Sequence, residues 1–209
     1  MKYFNLVLFV ILILGCKEER REVPESITVN IINEIVSTVL LDDSLVNFTS
    51  GTKSIYICDE LLKLELMNFE IINKSKSGNV IQPPPPPPRT CISVADLLNL
   101  DINGNYFFTL EDTAFLKEQG IVSNSFKIDS LNLKDFKFYS KDELLFKSVN
   151  GTLLDFYEMT LPIFSKDKCK AYLELNHFCK GLCGGGVGLF LQKHNDKWIV
   201  IHRNSTWMS

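Results

Sequence analysis

The C-terminal part of the chain consists of short strand-like segments separated by turns, and this arrangement restricts the possible folds most. Beyond Phe126, candidate strands cover 135–139, 154–161, 171–178, 187–193 and 198–203. The separators 165–168, 181–188 and 194–196 are rich in turn-forming residues, and each is short enough for a hairpin. Because hairpins join antiparallel neighbours, this part of the chain is predicted to form an antiparallel β-meander.

Side chains along 171–178 alternate between apolar and polar. Leu173 and Leu175 would point to one face of the sheet, and Glu174 and Asn176 to the other. One face is therefore expected to be buried and the other to be solvated.

The glycine-rich segment 184–188 lacks the features of a phosphate-binding loop. No lysine followed by serine or threonine comes after the glycines, and Leu189-Phe190-Leu191 has the composition of a strand. Glycines inside a strand indicate a bulge, or the close approach of another part of the chain.

Two helices are predicted outside the meander. Apolar residues recur every three or four positions between Ser26 and Asp42, which indicates a helix with one apolar face and Ser26 as its N-cap. A capping pattern from Thr109 to Asp112 would begin a central helix that ends at Gly120. The sequence therefore predicts an α+β fold, with an N-terminal helix and a central helix packed on a curved antiparallel β-sheet.

A single domain is predicted over 26–209, with a proline-rich surface loop near 75–90. Six consecutive prolines at 83–88 favour extended polyproline II conformation and provide no backbone donors. Such a run is expected to act as a spacer on the surface.

Residues 101–106 resemble the start of a calcium-binding loop only in part. Asp101, Asn103 and Asn105 have the right spacing, but Tyr106 stands where such a loop needs glycine. A turn at Asn103-Gly104 explains the segment better. We predict no metal and no cofactor for this chain.

The first fifteen residues are predicted to be a signal peptide. Lys2 precedes nine consecutive apolar residues at 6–14. A membrane-spanning helix needs roughly 20 apolar residues, so this stretch is too short to cross a bilayer. Ile13-Leu14-Gly15-Cys16 resembles the lipobox of bacterial lipoproteins, which implies that Cys16 carries the lipid and becomes the first residue of the mature chain.

Residues 16–25 are predicted to be a flexible tether, because they are polar and lack periodicity. Lys17-Glu18-Glu19 resembles the export signal with which lipoproteins of Bacteroidota reach the outer face of the outer membrane. That resemblance implies a lipid-anchored protein of the cell envelope at the outer membrane. The alternative is a charged spacer that is not an export signal.

Five cysteines remain beyond Cys16, and an odd number leaves at least one thiol unpaired. Cys179 and Cys183 could form a local disulfide across a tight turn; free thiols, or a metal site that includes His177, are the alternatives. A weaker candidate disulfide joins Cys58 and Cys91 around the proline-rich loop.

The remaining features separate three classes of function. The formal net charge of −3 argues against nucleic acid as a partner, because phosphate binding needs a basic surface. A noncatalytic lipoprotein that binds an unidentified protein or small molecule is the main hypothesis. A thiol enzyme that uses Cys179 or Cys183 with His177 or His202 is an alternative, as is a metal-binding module. His177 and His202 are both expected to point inward and to line one pocket.

Four segments together resemble a family of uncharacterised lipoproteins of Bacteroidota. They are Phe108-Thr-Leu-Glu-Asp-Thr-Ala-Phe-Leu-Lys-Glu-Gln119, Leu161-Pro-Ile-Phe-Ser-Lys-Asp167, Cys179-Lys-Gly-Leu-Cys-Gly-Gly-Gly186 and a C-terminal segment with Lys197-Trp-Ile-Val200 and the closing Trp207-Met-Ser209. The family has a phrase like S-x-P-x-F-S-x-D, from which this chain departs at Leu161, and a C-G-x-L-C-G-x-G segment, from which it departs at Lys180. The resemblance implies a fold and a location in the cell envelope, and it implies no catalytic activity.

Overall fold

The computed structural model of the protein describes residues 29–42, 55–67, 90–121, 126–128, 133, 136–151, 155–179 and 184–208. The helices in these ranges are α1 (Val29–Leu40), α2 (Val94–Asn99), α3 (Thr113–Ile121) and α4 (Lys141–Val149). No helix within these ranges is both long enough and apolar enough to cross a membrane. The predicted signal peptide, the tether, Ser26 and the proline run lie outside the described residues.

The strands begin with six short elements, β1 (Ile55–Cys58), β2 (Glu60–Leu61), β3 (Glu65–Met67), β4 (Cys91–Ser93), β5 (Asp101–Ile102) and β6 (Asn105–Tyr106). They continue with β7 (Phe126–Lys127), β8 (Phe136–Tyr139), β9 (Asp155–Met159) and β10 (Ile163–Phe164). The longest strands come last: β11 (Lys170–Cys179), β12 (Gly185–His194) and β13 (Lys197–Met208).

Within the described residues, one large sheet has the strand order β13-β12-β11-β9-β1-β8, and β10 pairs with β11. Strands β9, β11, β12 and β13 are antiparallel neighbours, which confirms the α+β class and the meander from β11 to β13. The expectation of a wholly antiparallel sheet is wrong, because β1 pairs in parallel with both β8 and β9. Strands β8 and β9 lie on either side of β1 and run in the same direction, so the chain between them must cross over. Helix α4 lies in that connection.

Helix α1 covers one face of the sheet. Its apolar face buries Ile32, Ile35, Val36, Val39 and Leu40, in agreement with the predicted helical periodicity. These side chains join a core formed by alternating residues of the central strands, among them Leu173, Leu175, Leu189 and Leu191. We call this side of the sheet the helix face.

Helices α2 and α3 belong to the core on the opposite face, where Leu97 and Leu116 are fully buried. There Phe190 and Tyr172 of the sheet lie with their rings 4.7 Å apart, and Phe107 packs edge-on to Phe190 at 5.2 Å. We call this side the aromatic face. The sheet is therefore covered by described residues on both sides.

The predicted cap of the central helix is confirmed, and it also fixes the helix to the sheet. The Asp112 carboxylate accepts hydrogen bonds from the Thr109 backbone N–H at 2.8 Å and from the Lys166 N–H at 2.8 Å. Farther along, the Gln119 amide exchanges two hydrogen bonds of 2.8 Å with the backbone of Phe164. The central-helix and Leu161–Asp167 segments of the family resemblance are thus joined by structural hydrogen bonds.

The turn at Asn103-Gly104 is also confirmed. Both residues have positive φ, 56° and 84°, and they connect β5 to β6 in an antiparallel pair. The Asp101 carboxylate accepts a hydrogen bond from the Gly104 N–H at 2.6 Å. This carboxylate therefore serves the turn, as expected for a hairpin.

Candidate functional site

A cavity of about 440 Å³ lies between the end of α1 and the ends of β11, β12 and β13. It is on the helix face of the sheet, and its walls are mainly apolar. The apolar lining includes Val39, Leu175, Val187, Leu189 and Val200, together with Trp207 and Met208 near the end of β13. A small set of polar groups, described next, faces the same space.

Tyr157 and His177 form a stacked pair on one wall of the cavity. They are directly opposite each other on β9 and β11, and their rings lie 4.6 Å apart. The His177 Nε2 atom lies 3.7 Å from the Asp155 carboxylate. Burial lowers the pKa of His177, although Asp155 acts in the opposite direction, so the imidazole is neutral near pH 7.

The hydroxyl of Tyr157 is buried without a hydrogen-bond partner in the part of the chain that the structure describes. Burial, with a smaller effect of the Asp155 charge, raises the pKa of Tyr157 to about 12. The phenol therefore remains protonated and can donate. Buried polar atoms in proteins are nearly always paired, so this hydroxyl, on a residue that lines the cavity, is a group that a ligand reaching it would satisfy.

An ion pair occupies another wall of the cavity. Arg203 of β13 lies 2.5 Å from the carboxylate of Asp42, directly after α1. The two charges offset each other, and the pair connects the helix to the last strand of the sheet. This pair therefore adds no net charge to the cavity wall.

Glycine at position 185 leaves space beside His177. Gly185 is opposite His177 in the sheet, and a Cβ atom built there would have the Trp207 carbonyl oxygen as its nearest neighbour, at 3.4 Å. Position 185 lies on the helix face, as do Val187 and Leu189 two and four residues later. A larger side chain at this position would therefore extend into the cavity.

Gly186 and Gly188 serve the aromatic face instead. A Cβ atom on Gly186 would collide with the indole nitrogen of Trp207, which donates a hydrogen bond of 2.6 Å to Asn176. A Cβ atom on Gly188 would collide with the Asn204 amide oxygen. The prediction that the glycines permit the close approach of another segment is confirmed, and that segment is β13.

A buried carboxyl lies on the aromatic face, which the sequence predicted to be solvated. Glu174 is 2% exposed, and its Oε1 accepts a hydrogen bond of 3.0 Å from the Tyr172 hydroxyl. Burial raises the pKa of Glu174 to about 7, although the Tyr172 hydrogen bond acts in the opposite direction. The Glu174 Oε2 atom has no partner among the described residues.

His202 does not line the cavity with His177, so the expectation of a shared pocket is wrong. It lies opposite Phe190 on the aromatic face, with the two rings 5.7 Å apart. A β-bulge opposite Phe190 and Leu191 inserts one residue into β13 and reverses the facing of His202 and the residues after it, as far as a second bulge opposite Gly186 and Val187. The thiol-enzyme alternative needs only one of the two histidines, and His177 is the one that lines the cavity beside β11.

Cys179 is disulfide-bonded, whereas the described cysteines Cys58, Cys91 and Cys169 are free thiols. Cys183 lies outside the described residues, so its pairing with Cys179 stays a prediction. The weaker candidate disulfide between Cys58 and Cys91 is not formed.

The two thiols of that candidate pair have separate surroundings. Cys58 is buried against Leu144 and Phe156, while the Cys91 sulfur donates a hydrogen bond of 3.2 Å to Glu65. Burial raises the pKa of Cys58 and of Cys91 to about 11 in both cases. Neither thiol has the low pKa that a nucleophile needs.

The metal interpretation of His177, Cys179 and Cys183 stays a prediction as a set, because Cys183 lies outside the described residues. Across the described ranges, no group of three or more His, Cys, Asp or Glu side chains is arranged to hold a metal ion. A sulfur in a disulfide is also not the thiolate that zinc requires.

Comparisons of the chain with models of protein families, with curated proteins and with solved structures give no match. The chemistry of the cavity is therefore the basis for its interpretation. Sequence reasoning identified His177 but missed Tyr157, Asp42 and Arg203. Tyr157 could have been found, because it lies in the predicted strand 154–161. In a strand its side chain faces the side opposite to those of Phe156 and Glu158.

Proposed function

We propose that this chain is a lipid-anchored protein of the cell envelope whose domain binds a small ligand without catalysis. The lipid on Cys16 would hold the mature chain at the membrane, and the segment 17–19 would direct it to the outer membrane. The tether 16–25 would place the domain beside the membrane surface. No role for nucleic acid or a cofactor is included.

The cavity on the helix face is the observation that carries the binding function. Small-molecule sites are concave, mostly apolar and hundreds of Å³ in volume, with a few placed polar groups. The cavity of about 440 Å³ between α1 and β11–β13 has these properties. The absence of catalysis in this proposal agrees with the disulfide at Cys179, whose sulfur cannot act as a nucleophile in that state.

Binding is tested with N-phenyl-1-naphthylamine, an uncharged probe that fluoresces in apolar surroundings. The mature domain is expected to bind it saturably at one site. The variant Gly185→Leu, which fills the space beside His177, is expected to lose this binding while unfolding at an unchanged urea concentration. Ala114→Leu adds the same side chain at an exposed position of α3 and is the matched control. No saturable binding by the native domain, or equal binding by Gly185→Leu, would refute the proposal.

The anchor is tested separately. The native protein is expected to partition into the detergent phase of a cloud-point extraction, and mass spectrometry should find acyl chains on Cys16. Two or three chains anchor firmly, because each buried methylene contributes about 0.8 kcal/mol. An unmodified N-terminus, or unchanged membrane attachment of Cys16→Ala, would refute the anchor but leave the binding function standing.

A further inference from the structure

We infer that the cavity selects an uncharged amphiphile, with an apolar tail over the Val187 and Leu189 side chains and a hydroxyl or carbonyl head at the Tyr157 hydroxyl. This inference rests on the proposed binding function and adds the chemical class of the ligand. Three observations support it: the apolar lining of the cavity, the pairing of the Asp42 and Arg203 charges with each other, and the Tyr157 hydroxyl without a partner among the described residues.

The apolar lining accounts for the tail. Val39 of α1 and Leu175, Val187, Leu189 and Val200 of the sheet line the same space. Removing apolar surface from water is the main source of affinity for such a wall. A ligand without a hydrocarbon portion would leave this surface exposed to water.

The charges in the cavity favour a neutral ligand. Arg203 is already paired with Asp42 at 2.5 Å, so an incoming carboxylate would have to compete with Asp42 for the guanidinium. An incoming ammonium would have to compete with Arg203 for the Asp42 carboxylate. His177 adds no charge near pH 7, since burial lowers its pKa. A charged head would therefore lose its hydration without meeting an opposite charge that is not already paired among the residues lining the cavity.

The Tyr157 hydroxyl accounts for the head. The residue is 4% exposed, it lines the cavity, and its hydroxyl has no partner among the described residues. Because the phenol stays protonated at neutral pH, it can donate to a hydroxyl or carbonyl oxygen. Such a hydrogen bond replaces an unpaired buried donor, which strengthens binding relative to a plain hydrocarbon.

The test is displacement of N-phenyl-1-naphthylamine at pH 8 by 1-octanol, octanoate and octylammonium, which share one tail length. Octanol is expected to displace the probe at a concentration at least about ten-fold lower than either charged analogue. Tyr157→Phe, which removes only the unpaired hydroxyl, is expected to weaken octanol by about five-fold and the probe by less than about two-fold. Asp42→Asn, which removes the carboxylate charge paired with Arg203, is expected to shift the preference toward octanoate.

Each alternative result has a distinct meaning. Absence of probe binding to the native domain would overturn the proposed function itself. Probe binding with tighter binding of octanoate than octanol would overturn the ligand class and leave the function intact. A preference for octanol that Tyr157→Phe does not change would overturn the role of the hydroxyl.

Discussion

The burial of Glu174 makes a quantitative prediction about stability and pH. Its pKa rises from 4.5 to about 7 on folding, because the carboxylate loses its hydration in the interior. The folded protein therefore holds this proton more tightly than the unfolded chain does. Between pH 4.5 and about 7 the folded state binds more protons, so the contribution of Glu174 to stability falls as the pH rises.

The magnitude follows from the size of the pKa change. The difference of about 2.5 pKa units, at about 1.4 kcal/mol each, corresponds to roughly 3 kcal/mol lost above pH 7. For a chain of this length, that loss corresponds to a melting temperature lower by roughly 6 to 12 °C. Glu158 is also buried on this face. It is present in every variant compared, so the difference between variants reports on Glu174.

Glu174→Gln keeps the acceptor for Tyr172 and removes the charge. Near pH 4.5 and below, this variant and the wild type are expected to have the same free energy of unfolding in urea. Near pH 8 the variant is expected to be more stable by roughly 3 kcal/mol. Glu118→Gln, at an exposed position of α3, is the control and should follow the wild type at every pH. Parallel curves for Glu174→Gln and wild type from pH 5 to 8 would show that the reasoning is wrong.

Three further predictions concern packing, capping and thiols. Gly186→Ala is expected to destabilise the domain by about 1–3 kcal/mol in urea unfolding, because its Cβ meets the indole of β13, whereas Gly185→Ala should change stability by less than about 0.5 kcal/mol. Asp112→Ala is expected to lower the free energy of unfolding by about 2–4 kcal/mol in the same assay. The Asp112 carboxylate both caps the central helix and accepts a hydrogen bond from Lys166, in the turn after β10. Iodoacetamide should modify the exposed Cys169 in the native protein but reach Cys58 only on unfolding; rapid native labelling of Cys58, read by peptide mass, would contradict its burial.

Local patterns of the sequence predicted several elements correctly. The apolar periodicity of α1, the Asn103-Gly104 turn and the Thr109 cap each depend on residues a few positions apart, and each is confirmed. Helix α4 was missed because its apolar residues Phe146 and Val149 are exposed, so no inward-facing stripe appears. The capping box formed by Ser140 and Glu143 was the available signal.

Long-range features of the fold were not accessible to the same reasoning. The parallel pairing of β1 with β8 joins residues far apart in sequence, and local alternation carries no information about it. The facing of His202 depends on one bulge, and a single added residue moves every later side chain to the other face. The Asp42–Arg203 pair depends on how α1 sits across the sheet. The cavity could therefore not be assembled from the sequence.

The alternation of glycines in β12 has a consequence for how such a protein can change over generations. A side chain at position 185 would extend into the cavity, whereas a side chain at position 186 would weaken the docking of the last strand. If the proposed binding function holds, mutation at position 185 would alter ligand preference while the fold survives, whereas mutation at position 186 would act on stability. Two neighbouring positions of one strand would thus act on different properties, ligand preference at 185 and stability of the fold at 186.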